Sequence, residues 1–151
     1  MSSITSSPFI ATSGLSRAMS RHSFALVGLA ASVAAALANM LVYVFGDAVV
    51  GYDPDFVYLG SAIGIGIFTF VLAVAAVLVY AVVVQRTENP VRLFTIISSV
   101  VLAVSIIPDY TYIPSEPGAT TAQASILALM HVVAAGVIVW MLTTFARPRA
   151  R

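Results

Sequence analysis

The sequence predicts an all-α fold, a transmembrane four-helix bundle, and three observations carry that expectation. Of the 151 residues, 60% are hydrophobic and only 9% are charged, whereas a soluble domain carries about 25% charged residues. An aqueous fold of this size has no interior large enough for so much apolar surface. The apolar residues also gather into four runs, at about 23–45, 59–84, 91–107 and 122–145. A helix crosses the hydrocarbon core with about 20 apolar residues, in a range of about 17–25. Finally, the charges segregate between alternate connections. The basic residues are Arg17 and Arg21 before the first run, Arg86 and Arg92 between the second and third, and Arg147, Arg149 and Arg151 at the end. The first and third connections hold Asp47, Asp53, Asp55, Asp109 and Glu116 instead. By the positive-inside rule both termini are cytoplasmic and the two acidic loops lie outside, in a multi-pass protein of the cell membrane.

Residues 1–21 form a Ser/Thr-rich tail, expected to be disordered and cytoplasmic, ahead of the spanning domain at 22–146. The first run has the basic entry of a signal peptide, with "ALA" at Ala36–Ala38 as a cleavage-like site. It continues through "NMLVYVF", however, and is long enough to span, so an uncleaved first helix is the expectation. The third run is the shortest. "ENPVR" offers Asn89 as its N-cap and Pro90 at its first position, and "IIPDY" predicts a stop before Pro108. The fourth run leads into a basic cytoplasmic tail at 147–151. Tyr43, Tyr52, Tyr58, Tyr110 and Tyr112 cluster near the predicted outer boundary, as an aromatic belt does.

Each helix carries a stripe of small or polar residues at steps of three and four, the spacing of packed helices in lipid. The stripes are Gly28, Ser32, Ala35 and Asn39 in the first, then Ala62, Gly66, Thr69, Ala73 and Ala76 in the second. The third has Thr95, Ser98, Ser105 and Asp109, and the fourth Ala124, Ala128, His131 and Ala135. Polar groups at depth are the candidates for function. Asn39 lies roughly 10 Å in from the outer end of its helix and His131 roughly 13 Å in, at the helical rise. With Ser105 and Asp109 entering from the third helix, Asn39, Ser105, Asp109 and His131 form a candidate intramembrane polar cluster. Its members serve either as hydrogen-bonded links between helices or, through His131 and Asp109, as an acid–base pair.

Sharper chemistry lacks the residues. With no cysteine in the chain, disulfides, thiolate metal sites and dithiol redox chemistry are excluded. The only other histidine, His22, lies at the opposite end, so a bis-histidine haem is not expected. His131 and Asp109 supply at most two metal ligands, and "GYDPDF" reads as a solvated acidic turn rather than a calcium loop. No cofactor is expected, nor catalysis, and a net charge of +1 gives no case for nucleic acid. The expected partners are the lipid bilayer and, beyond it, other membrane proteins or further copies of the chain.

The stretches "RLFTIISSVVLAVSIIPD" and "ALMHVVAAGVIV" resemble a prokaryotic family of four-helix membrane proteins, domain of unknown function 6069. The resemblance rests on Arg92, on Pro108 with Asp109, and on Met130 with His131. It implies the four-helix topology over about residues 22–145 and no particular activity. The function expected is that of a structural or accessory membrane component. The alternative is a proton-linked transporter or membrane sensor using His131 and Asp109.

Overall fold

The computed structural model describes residues 21–146. The expected tail at 1–21 and the basic tail at 147–151 lie outside the described residues, apart from Arg21, which opens the first helix. Four helices follow: α1 (Arg21–Val50), α2 (Ala62–Arg86), α3 (Pro90–Thr111) and α4 (Thr121–Phe145). Short 3-10 turns, Val57–Leu59 and Ile113–Ser115, sit in the first and third connections. All four helices are long and apolar enough to cross a membrane, so the chain is a multi-pass membrane protein by its architecture. With an even number of crossings, residues 21 and 146 share one end of the bundle, here the termini end. The connections 51–61 and 112–120 form the opposite, loop end.

Local chemistry explains most helix boundaries. At the start of α2, Ser61 is extended and its hydroxyl accepts the Gly64 N–H at 3.1 Å. The second helix thus begins three residues later than predicted, because Leu59 closes the preceding 3-10 turn. Thr120 and Gln123 make a complete capping box at α4. The Gln123 N–H donates to Thr120 Oγ1 at 3.2 Å, and the Thr120 N–H donates to Gln123 Oε1 at 2.8 Å.

Three expectations need correction. The first helix runs past Phe45 to Val50, because helical hydrogen bonding persists where the apolar run has ended. It stops at Gly51, whose φ of 67° ends the helix in the left-handed region. Pro90 does open α3, but the Asn89 side chain makes no cap. The Asn89 backbone N–H instead donates to Thr87 Oγ1 at 3.2 Å. Pro108 does not end α3 either. The helix passes through it to Thr111, and the Pro108 carbonyl accepts the Tyr112 N–H at 2.9 Å. The missing proline N–H costs one internal bond, and continuing the helix turns Asp109 inward, to 4% exposure.

α1 packs against α2 and α4, α4 packs in turn against α3, and α2 and α3 touch less extensively. The small-residue stripes of α1, α2 and α4 form these seams. Gly28, Ser32, Ala35 and Asn39 are all buried, as are Gly66, Thr69 and Ala73 opposite them. Contact here is close. A Cβ on Gly28 would lie 2.6 Å from Val77 Cγ1, and one on Gly66 would lie 2.8 Å from Met40 Sδ.

Two apolar clusters brace the ends. At the termini end Tyr80 is fully buried, packs its ring 4.8 Å from that of Phe94, and donates its hydroxyl to the Ala146 carbonyl at 3.4 Å. At the loop end Phe56, Leu59 and Ile113 fold down over Ala124 and Met130. The remaining surface is apolar all round, with Leu41, Phe68, Val104 and Trp140 exposed, as suits helices that face lipid.

Candidate functional site

Continuing α3 past Pro108 carries Asp109 to α4, where its Oδ2 lies 3.1 Å from His131 Nδ1. Asp109 is buried, while the His131 side chain keeps 36% of its surface exposed. The same Nδ1 lies 2.9 Å from the carbonyl of Leu127, one turn back along α4. Both neighbours are acceptors, so Nδ1 carries the ring proton and the lone pair of the neutral imidazole falls on Nε2. That N–H is directed at the Leu127 carbonyl, and Asp109 Oδ2 is left buried without a hydrogen bond of its own.

The other two candidates stand apart from this pair. Asn39 bonds across to α2, its Nδ2 donating to Thr69 Oγ1 at 3.0 Å in a buried link. Its Oδ1 has no hydrogen-bond partner among the described residues. Ser105 donates to the carbonyl of Val101 in its own helix at 2.8 Å and, among the described residues, bridges to no other helix. The expected four-residue cluster is thus two separate contacts and a self-satisfied hydroxyl. Depth along a helix brought these residues to one level, but the direction each faces separates them.

Two polar features escaped the sequence reading. Thr69 was visible on the α2 stripe, but nothing local named it as the partner of Asn39. Gln123 is fully buried, with Nε2 unpartnered. Its signal was present in the sequence, since Thr120 and Gln123 have the spacing of a capping box. Nearer the loops, the Tyr52 hydroxyl donates to the Tyr43 carbonyl at 3.0 Å, and the Tyr52 N–H donates to Asp47 Oδ1 at 2.9 Å. Burial pushes the Tyr52 phenol up to about 12, with the Asp47 charge adding to the shift. In the acidic turn, Asp53 Oδ1 accepts the Asp55 N–H at 2.9 Å, which folds the loop locally.

Fold and site together define a small four-helix multi-pass membrane protein with an acid–base pair inside its span. The chain belongs to the family described as a family of unknown function (DUF6069), whose model matches residues 19–148. No curated protein and no solved structure matches it.

Proposed function

We propose that the protein is a non-enzymatic accessory component of the cell membrane whose α3–α4 contact responds to protonation of the Asp109–His131 pair. The observation that supports this reading is the 3.1 Å approach of two ionisable side chains within the span. Few other charges compete with them. α4 has no other ionisable residue, and on α1, α2 and α3 the groups Arg21, His22, Asp47, Arg86 and Arg92 lie toward helix ends as Asp109 does, but Asp109 is buried where His22, Asp47, Arg86 and Arg92 are exposed. A proton gained or lost by the pair changes its net charge in a medium of low dielectric, so the strength of the helix contact changes with it. Asn39 and Thr69 join α1 to α2 with no ionisable group, which shows that a plain packing link does not require one. A proton-linked transporter would use the same pair. All four helices are continuous, however, without the broken-helix pair that transporters use at their sites.

Thermal unfolding of the full chain in lipid nanodiscs across acidic and neutral pH tests this. The midpoint should step with pH in the wild type, and the step should vanish alike in Asp109→Asn and His131→Gln. Each substitution should also cost about 1–3 kcal/mol at neutral pH. Variants that lose stability while keeping the step would leave the pair a structural link.

The same reading extends to orientation. Arg86 and Arg92 flank the connection at the termini end, which also holds Glu88, and the other five acidic residues lie toward the loop end. We infer that both termini are cytoplasmic. Reporters fused to the C-terminus should be active only when suited to the cytoplasm. Activity of a periplasmic or extracellular reporter would reverse the assignment.

A further inference from the structure

Tyr80 ties α2 to the other three helices at the termini end. Its ring lies 4.8 Å from that of Phe94 on α3 and stacks on Phe24 of α1, with centroids 6.2 Å and planes 14° apart. Its hydroxyl meets the carbonyl of Ala146, where α4 ends. An arginine stands a short way along the chain from each of these contacts. Arg21 comes three residues before Phe24, Arg86 six after Tyr80 and Arg92 two before Phe94, and Arg147 directly follows Ala146. No sequence motif holds them together, and it is the Tyr80 hub that gathers their four chain segments. Only residues 87–89 separate α2 from α3, so Arg86 and Arg92 stand at adjoining helix ends.

Both of these side chains are exposed, and neither makes a hydrogen bond or ion pair among the described residues. Of the six acids only Glu88 falls in the segments at this end, against all seven basic residues, and every one of those is an arginine. A guanidinium presents a planar fork of N–H donors that matches two phosphate oxygens, which an ammonium does not. Val82, one turn before Arg86, and Leu93, next to Arg92, are exposed apolar side chains. Cations suited to a phosphate thus adjoin surface suited to an acyl chain, at the level of the lipid head groups. We propose that the termini end binds the monoester phosphate of an anionic phospholipid, held by Arg86 and Arg92, with Arg21 and Arg147 adding positive charge from the neighbouring segments. Two guanidiniums match the second charge that a monoester phosphate gains near neutral pH and a diester lacks. The site lies toward the opposite end of the bundle from Asp109 and His131 and does not depend on them.

The test titrates the full chain, stripped of lipid in detergent, and counts bound lipid by native mass spectrometry. The probes are phosphatidic acid, phosphatidylglycerol and phosphatidylcholine with identical acyl chains, and inorganic phosphate. The first lipid carries a monoester phosphate, the second a singly charged diester, and the third a diester balanced by its own ammonium. Phosphatidic acid should fill one site saturably and bind roughly ten-fold tighter than phosphatidylcholine, with phosphatidylglycerol between. Arg86→Ala with Arg92→Ala should abolish that order. Arg86→Lys with Arg92→Lys keeps the charge and should still lose most of the preference for phosphatidic acid over phosphatidylglycerol. Arg149→Ala with Arg151→Ala removes the same charge farther from the hub and should leave the order in place. Equal loss in that last pair would reduce the binding to diffuse attraction and overturn the proposal, as would equal binding of the three lipids. Displacement of phosphatidic acid by inorganic phosphate would assign the site to a soluble phosphate and overturn the lipid assignment.

Discussion

Asn39 and His131 show how differently two polar residues behave at similar depth. Asn39 has a neutral partner on the facing helix, and its contribution should be that of an ordinary interhelical hydrogen bond. A double-mutant cycle with Asn39→Ala and Thr69→Val, followed by unfolding in nanodiscs, should give a coupling of about 0.6 kcal/mol, and below about 1.7. A coupling near zero would mean that the contact is not formed in the membrane. Tyr52 gives a second residue-scale prediction. Its phenol is held neutral to about 12 in the fold, against an ordinary value of 10.0. Folding thus gains from the proton, fully below pH 10 and progressively less as pH rises through 12. Tyr52→Phe should lower stability at neutral pH through loss of the bond to Tyr43, and should decline less steeply across that alkaline window. Parallel decline of both proteins would contradict the shift. Asn39 was singled out by its depth in an apolar run, yet its partner could not be read from sequence. Position along a helix fixes depth, and only packing fixes which neighbour is faced.

At the scale of elements, α3 departs furthest from expectation. The rule that a proline ends the preceding helix is local, whereas the continuation to Thr111 buries Asp109 against α4 and hands Tyr112 a backbone acceptor. Pro108→Ala restores the N–H that a proline lacks and should raise stability by about 1 kcal/mol while keeping the Asp109–His131 contact. A drop in stability would indicate that the proline's rigidity, rather than helix continuity, positions Asp109. The stripes of α1, α2 and α4 were readable because small residues at steps of three and four have one use in lipid, which is close approach. The α3 stripe was less informative. Thr95 is exposed and, like Ser105, returns its proton to its own helix, so its polarity needs no neighbour.

Over the whole molecule, the four membrane-spanning helices, and with them the shared end of residues 21 and 146, were legible, because apolar length and hydrocarbon thickness are one quantity seen twice. The braces at the two ends were not. Tyr80 against Phe94, and Phe56 with Ile113 over α4, join segments distant in sequence through side-chain shape alone. Burial is also uneven. Only 11% of the most apolar window of α3 is buried, against 33% for α1. α3 is thus attached to the bundle mainly through α4, and its polar tether at Asp109 lies near its far end.

That attachment constrains how the chain can enter the bilayer as it is synthesised. α3 emerges before α4, and until His131 arrives Asp109 has no counterpart. An aspartate costs about 2.5–3.5 kcal/mol at the centre of a lone helix, and Asp109, two residues from the end of α3, costs less but has no partner of its own there. The third helix gains its one tightly buried polar contact only with α4. Its residence beside the insertion machinery should last until α4 has been made, and the two should leave together as a hairpin.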